Sequence, residues 1–511
     1  MAQNREHIYI AAPGFKGLNT QDSPVAQDAT FAAIAENVVI DKFGRIGARK
    51  GLDKLTTSTT PLGSSDGIES IFEFVDQSGD IAVFSTGNNK IFSGTTTLTD
   101  ITPAAYTVSA NNWKIVNFNN HAYFFQRGQE PLIYTDESGS GVLEKFSDHS
   151  HATGTPPYAN EALAAFGRIW AADVTGNKYT LYWSDLLAGH AWTGGSSGSL
   201  DLTTVWPTGY DEIVALSEFN DLLVIFGKRS ILLYSGASSP SSMVLADVIT
   251  NIGCIARDSV QSTGTDLLFL SDSGVRSLGR VIQEKSNPIG DVSINVRDEL
   301  VQAVAVETGN IKSVYSEENA FYLLILPEVN NIVFCFDVRG KLENGGNRVT
   351  TWPFTGILCG TTTDDNKIYF GNSKGINEYS GFLDDGSTYT MKYYTHSLSF
   401  GDASRLKLLK EITFTIVGGQ GTSLLLNWGY DYTEGYTKQL LTVDDASIAE
   451  YGVSEYNVET SQYNFSIVVN KATTKATGSG RVVTIGLDAT INGKAFSIQD
   501  VNIEAFIGRT I

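Results

Sequence analysis

A single sentence-like pattern recurs through the chain, and it limits the fold more than anything else in the sequence. In Asp221–Gly236, DLLVIFGKRSILLYSG, Leu222 to Phe226 is a short run apolar on both faces, Gly227-Lys228-Arg229-Ser230 is a polar turn, and Ile231 to Tyr234 is a second such run. Two short apolar runs around a turn describe an antiparallel hairpin buried on both sides. The pattern returns at Gly79–Gly94, His121–Asp136, Gly167–Asp185, Thr265–Gly279, Asn319–Asp337 and Asn366–Gly381. The copies lie about 48 residues apart, within the ~40–50-residue period of four-stranded propeller blades. Each hairpin takes about 16 residues of its period, and the remainder, such as Tyr210–Leu216 before the central copy, supplies two further strands. The expectation is an all-β chain whose residues 61–388, counted from Ser65 to Gly381 in hairpins, form a β-propeller of about seven blades. The competing arrangement is a stack of unrelated hairpins in one or two β-sandwiches. Neither the Gly-His…Trp-Asp nor the paired-glycine kelch signature is present.

The totals agree with this class. A chain of 511 residues exceeds one core. Fifty glycines against 12 prolines, with 22 Tyr and 26 Phe, favour strands joined by tight turns. A formal charge of −20 argues against a protein that grips nucleic acid, which needs clustered Lys and Arg to displace counterions, but not against one that DNA merely passes. Cys254, Cys335 and Cys359 have no metal-like spacing and read as small buried hydrophobes in a reducing compartment. The segment MAQNREHIYI lacks the apolar stretch of a signal peptide, and no run approaches the ~20 residues of a membrane span.

Residues 1–60 precede the repeats. Pro13–Thr20 is a turn-rich arm, which is either a docking segment or a propeller-closing strand. Asp28 can cap a short helix with Phe31, Ile34, Ala35 and Val38 on one face. Val38–Asp41 and Arg45–Arg49 flank Lys42-Phe43-Gly44 as a hairpin. Between Val281 and Ser313 the strand rhythm lapses, and Val292, Val296, Leu300 and Val304 fall at helical spacing, which predicts a short helix between blades. Beyond Gly381 the period changes. Glu411–Val417, Thr422–Asn427, Gln439–Val443, Asn464–Val469, Arg481–Ile485 and Ala495–Ile507 are six strand candidates, so residues 389–511 are expected to form a C-terminal β-sandwich.

Chemical motifs are weak. Gly194-Gly195-Ser196-Ser197-Gly198 fits G-x-S-x-G, but has no strand before it or helix after it, so the nucleophile-elbow context is missing. His149-Ser150-His151 is half of a metal site with no third ligand near in sequence, and a solvated loop is the plainer reading. A sugar-cleaving propeller needs two carboxylates meeting at its axis. Asp185, Asp221, Asp266, Asp337 and Asp365 recur near strand ends, where Asp also serves turns by bonding its own backbone. No P-loop, dinucleotide fingerprint, EF-hand loop or CxxC is present. The expectation is no catalytic residue, no cofactor and no metal. Asn464-Phe465-Ser466 is a glycosylation sequon that a cytosolic chain does not use. Arg45, Arg49 and Lys50 are either a docking patch for an acidic partner surface or a solvated strand face.

Four stretches carry a family resemblance. GFKGLNTQDSP…ENVVIDKFGRIGARKG near the start, LYWSDLLAGHAW at Leu181–Trp192, EIVALSEFNDLLVIFGKRSILLYSG with GCIARDSVQSTGTDLLFLSDSGVRSL, and SLSFGDASRLKLLKEITFTI at Ser397–Ile416 resemble, in this order, the tail nozzle or tail hub proteins (tail tubular protein B type) of short-tailed bacteriophages. The resemblance implies a structural virion protein of the viral tail, assembled in the host cytoplasm and not an enzyme. It implies a homo-oligomeric ring, a hexamer, that docks to a phage adaptor or head-to-tail connector protein and encloses the channel for genome ejection. Tail fibre or needle proteins are implied as further partners, with the host cell surface at the distal end. Genomic dsDNA would pass through the DNA channel without specific binding. The matching stretches place partner docking on Phe15, Lys16, Leu18 and Asn19, on Arg45, Arg49 and Lys50, and on Arg405, Lys407 and Lys410. The alternatives are a propeller-type glycan-binding or glycan-cleaving tail enzyme and a monomeric propeller scaffold.

Overall fold

The computed structural model describes residues 4–24, 27–57, 62, 67–135, 141–207, 209–284, 291–354, 356–432, 435–443, 449–450 and 467–510. All seven hairpins are present, as Ile81–Gly87 with Lys90–Ser93, His121–Phe125 with Leu132–Thr135, Arg168–Val174 with Thr180–Trp183, Leu222–Gly227 with Ser230–Ser235, Leu267–Ser271 with Gly274–Ser277, Phe321–Leu326 with Ile332–Asp337, and Ile368–Asn372 with Gly375–Ser380. In every case an inner strand precedes and pairs with the hairpin's first strand. Hairpin strands such as His121–Phe125 and Phe321–Leu326 are buried at every position, because neighbouring sheets cover both faces. That is why they read as continuous apolar runs rather than as alternation. Asn88-Asn89, Asn119-Asn120 and Asn220-Asp221 all have φ between 49° and 67°. Two successive left-handed residues make the tight turn whose twist matches antiparallel strands, and Asn and Asp tolerate it best.

The sheets follow one another around an axis, and contacts between successive inner strands close the ring from Ile357–Thr362 back to Ile68–Val75. The number of complete blades is six, not about seven: five separate four-stranded sheets, plus the four strands from Lys312 to Pro353 that begin a ten-stranded sheet. The remaining hairpin belongs to a three-stranded sheet, Gln261–Ser262 with Leu267–Ser271 and Gly274–Ser277. It has no outer strand because the chain enters the helix Leu278–Glu284 at that point, and later the helix Arg297–Val306. The second helix answers the spacing of Val292, Val296, Leu300 and Val304. The last blade takes its outer strand, Gly51–Lys54, from the other end of the chain. The arm Pro13–Thr20 is not this closing strand: its Gly17–Leu18 pairs alongside Arg348–Pro353 of the sixth blade, and the strand that closes the ring comes from the residues after the hairpin.

The helix expected after Asp28 is instead the strand Phe31–Glu36, followed by Val38–Ile40. Its apolar residues satisfy a helical stripe, but Phe31–Glu36 lies between Gly17–Leu18 on one side and Tyr389–Thr395 on the other, and the ladder bonds on both edges override the local preference. The hairpin Val38–Ile40 with Ile46–Ala48 forms as expected.

Residues 1–60 thus do not form a region apart. Asn4–Ala11 and Ile46–Ala48 both pair with the C-terminal strand Phe496–Thr510, and Phe31–Glu36 joins the other sheet of the C-terminal sandwich. That second sheet has ten strands and runs without a break from the sixth blade, through Gly17–Leu18 and Phe31–Glu36, to Val483–Ile491, Ser423–Tyr430 and Thr437–Thr442. One apolar core includes Phe334 and Phe336 of the blade, Phe15 and Leu18 of the arm, and Phe414, Leu426 and Ile498 of the sandwich. The strand expected from Asn464 is described from Ile467 onward, and the sequon lies outside the described residues.

Candidate functional site

Every inner strand begins at the same face of the propeller, so the polar residues that open these strands converge on the axis. Lys114 opens one inner strand, Glu161 lies in the next, Lys312 opens another, and Arg257-Asp258 lead into the three-stranded sheet. They form an ion cluster across the bore. Asp258 accepts from Arg257 Nε at 3.0 Å, Arg257 Nη2 at 2.7 Å and Lys312 Nζ at 2.7 Å, and Lys114 Nζ stands 3.8 Å away. Arg257 also donates to Asn160 O at 2.7 Å, to Asn160 Oδ1 at 3.0 Å and to Asn112 Oδ1 at 2.7 Å, and Lys312 reaches the same Asn112 oxygen. One guanidinium therefore ties together elements of three sheets.

The two carboxylates at the axis are set apart electrostatically. Burial opposes ionisation of Asp258, but Arg257, Lys312 and Lys114 outweigh it and hold the carboxyl well below its ordinary range. Glu161 is 1% exposed, and burial pushes its carboxyl up to about 7 despite Lys114 at 3.6 Å and Arg257 at 3.9 Å. Its Oε1 accepts from Leu216 N at 3.4 Å, while Oε2 has no hydrogen-bond partner. Above the cluster a polar cavity of about 470 Å³ opens between Arg127, Asp173, Lys178, Glu212 and Glu307. Below it lies a second cavity of about 270 Å³. Asp258 lines both, so the cluster is the partition between them.

None of the five aspartates singled out in the sequence belongs to this cluster. Asp221 is the second residue of a turn. Asp185 Oδ1 accepts from Leu186 N, Ser196 N and Ser196 Oγ, each at 2.8 Å. Asp266 Oδ1 accepts from Gly279 N at 2.8 Å, Asp337 from Arg339 N at 3.0 Å, and Asp365 from Thr363 Oγ1 at 2.5 Å. Ser196, the serine of the G-x-S-x-G match, is latched between Asp185 and Arg168, whose Nη2 donates to it at 2.9 Å. Cys254, Cys335 and Cys359 are free, and burial raises all three thiols, Cys254 to about 11 and Cys359 to about 12.

The residues assigned to docking divide into two groups. Phe15, Leu18, Asn19, Arg49 and Lys407 are buried within their own chain and present no free surface. Arg49 stacks between Phe354 at 3.8 Å and Tyr389 at 4.1 Å and makes a two-pronged pair with Asp384 at 2.8 and 2.6 Å. Lys407 Nζ donates to Arg481 O at 2.7 Å. Lys50, Arg405 and Lys410 are exposed, while Lys16 and Arg45 are half-buried, Lys16 paired with Asp28 and Arg45 with Gln499. Arg45, Arg405 and Lys410 lie in or beside the sandwich sheet that contains Arg405–Gly418.

The axial residues lie outside the hairpins, and none sits in a chemical motif; Arg257 and Asp258 fall within the GCIARDSVQ stretch, which by itself points to no chemistry. The usable signal was periodic: a charged residue at or just before the inner strand in several repeats. His149 and His151 are close together in the sequence, whereas the residues that join them, His121 and His190, come from two other segments.

Topology places the chain among all-β propeller proteins, with a sandwich fused to it. No family model matches it, and no curated protein does. Among solved structures it is similar to the extracellular domain of the putative one component system BT4673 from B. thetaiotaomicron, at 11% identity and a TM-score of 0.42, covering 68% of this chain and 45% of that one. It is similar to the Neurospora crassa Pan2 WD40 domain at 10% identity and a TM-score of 0.35, covering 65% of this chain and 94% of that one. For the WD40 β-propeller domain of Doa1 the values are 11%, 0.33, 64% and 96%. This chain spans less than half the length of the first of these. No helix among the described residues is long and apolar enough to cross a membrane.

Proposed function

We propose that the protein is a structural subunit of a short phage tail, forming the ring-shaped nozzle through which the genome leaves. The observation that carries this reading is the unbroken ten-stranded sheet from the sixth blade to the sandwich, with one apolar core on both sides of the junction. Domains joined by small polar interfaces move relative to one another by default. A tube wall under internal pressure requires the opposite, and here the segments that weld the two parts, Gly17–Leu18, Phe31–Glu36 and the hairpin ending at Arg49, belong to the first stretch that resembles nozzle proteins. The ion cluster fits the same role. Its bonds tie the starts of several inner strands together and partition the propeller's own bore, so DNA would pass along the axis of a ring of subunits rather than through each propeller. In that ring a hexamer docks to a connector protein, and Lys16, Arg45, Lys50, Arg405 and Lys410 remain available for its contacts. The mass of purified assembled particles, with an electron-microscopic view along the ring, tests the proposal: a stable monomer or trimer in the mature particle overturns it.

One observation favours a second reading. Glu161, pushed up to about 7, is buried near Asp258, which is held ionised and lines an open polar cavity, and such divergence is what an acid and base pair requires. A glycan-cleaving propeller would show turnover of host polysaccharide that disappears in both Glu161→Gln and Asp258→Asn.

A further inference from the structure

Four of the protein's six histidines meet at the seam between the second and third blades. His149, His151 and His190 form a triangle with ring centroids 5.8, 5.6 and 6.2 Å apart, and His121 lies 6.0 Å from His149. They come from three segments: His121 begins a hairpin strand, His149 and His151 lie in the connection between the blades, and His190 lies in the loop after Trp183. Backbone bonds fasten the connection to that loop, from Thr153 N to His190 O at 3.0 Å and from Trp192 N to Thr153 O at 2.8 Å. Gly189, next to His190, packs so closely that an added Cβ would stand 2.6 Å from both Tyr123 and Ile169. The scaffold beneath the rings is therefore fixed.

His149 is buried, and its Nδ1 stands 2.7 Å from Glu144 Oε1. When that nitrogen carries the proton and donates it to the carboxylate, Nε2 is left with the lone pair. This is how a carboxylate orients a metal-binding imidazole. A metal about 2.1 Å from a ring nitrogen lies about 3.2 Å from the ring centroid, so two rings at the tetrahedral angle have centroids about 5.2 Å apart. The three rings are wider than this by about 0.4 to 1.0 Å. As they stand, no three ligating groups among the described residues surround a common point. Side-chain rotation of exposed His151 and half-buried His190 covers a gap of that size without moving the backbone.

We propose that His149, His151 and His190, with His121 as the fourth group and Glu144 orienting His149, bind a divalent transition metal of the zinc type that clips the connection between the blades to the loop of the third. A set of imidazoles without thiolates suits zinc, nickel or copper and is unsuited to magnesium or calcium, which take oxygen ligands. The test is a zinc titration of the chelator-stripped full-length chain against a chromogenic chelator, with cobalt substitution to read the geometry from its visible spectrum. One equivalent should bind. His151→Ala and His190→Gln should each weaken it at least tenfold, and Glu144→Gln should weaken it about 10- to 100-fold. His7→Ala and His396→Ala should leave it unchanged. His151 is exposed, so its variant is expected to fold, which circular dichroism checks. Absence of stoichiometric zinc overturns the proposal, as does binding that His151→Ala and His190→Gln leave intact or that His7→Ala weakens equally.

Discussion

Arg49 offers the most direct test of how the propeller and the sandwich are held together. Its side chain is 1% exposed, and Nε donates to Asn37 Oδ1 at 2.8 Å while the two Nη atoms grip Asp384. It thereby joins the end of the N-terminal hairpin to the segment between the last blade and the first sandwich strand. Removing one partner of a buried ion pair leaves an uncompensated charge and costs about 3–5 kcal/mol. Two aromatic faces on the guanidinium each add about 0.5–2 kcal/mol. Asp384 is 27% exposed and can rehydrate, which pulls the sum back. Arg49→Ala is therefore expected to cost about 4 kcal/mol, and Arg49→Lys most of that, because an ammonium cannot reproduce the two-pronged geometry. Equilibrium urea unfolding followed by tryptophan fluorescence reads the site directly, since Trp352 stacks on Tyr379 and lies 6.0 Å from Phe354. Exposed Lys50→Ala is the control, expected within about 0.5 kcal/mol of the parent. A loss below about 1 kcal/mol in Arg49→Ala, or an Arg49→Lys variant as stable as the parent, would refute the reasoning.

Four further outcomes are expected. Glu161 binds its proton more tightly folded than unfolded, so stability falls as pH rises between the ordinary 4.5 and about 7. Glu161→Gln should match the parent near pH 5 and exceed it by up to about 3 kcal/mol at pH 8, measured by unfolding across that range; a constant difference would contradict it. Asp258 has the opposite sign, its stabilisation present at neutral pH and lost only in strong acid, so Asp258→Asn should unfold earlier at pH 7, with a gap that persists to pH 5. Removing residues 4–23 deletes Phe15 and Leu18 from the shared core, where each such side chain carries about 2–5 kcal/mol, so the truncated chain should lose thermal stability in isolation and not only its place in a tail. If six copies form a ring, its bore is expected to be lined mainly by Asp, Glu and neutral polar residues, since phosphate is repelled within about 8 Å at physiological salt; lumen Asp→Lys variants that eject the genome at the unmodified rate in low and high salt would contradict this.

The sequence by itself determined the hairpins, because a strand covered on both faces must be apolar throughout and its turn must tolerate left-handed residues. Both demands are local, and Leu222–Gly227 and Asn220-Asp221 show them openly. It also determined the helix at Arg297–Val306 and the buried cysteines. Tertiary structure alone decided the rest. Phe31–Glu36 is a strand because partners bond both of its edges, Gly17–Leu18 on one side and Tyr389–Thr395, more than 350 residues away, on the other. Gly17 is a glycine because its φ is +79° and a Cβ there would stand 2.6 Å from Val349 O, a neighbour no local reading can supply. The axial cluster has the same origin. Lys114, Glu161, Arg257, Asp258 and Lys312 acquire their chemistry only when a closed ring brings the starts of the inner strands to one axis and withdraws them from water, because burial and opposing charge, which set their ionisation, are properties of the assembled ring and of no segment within it.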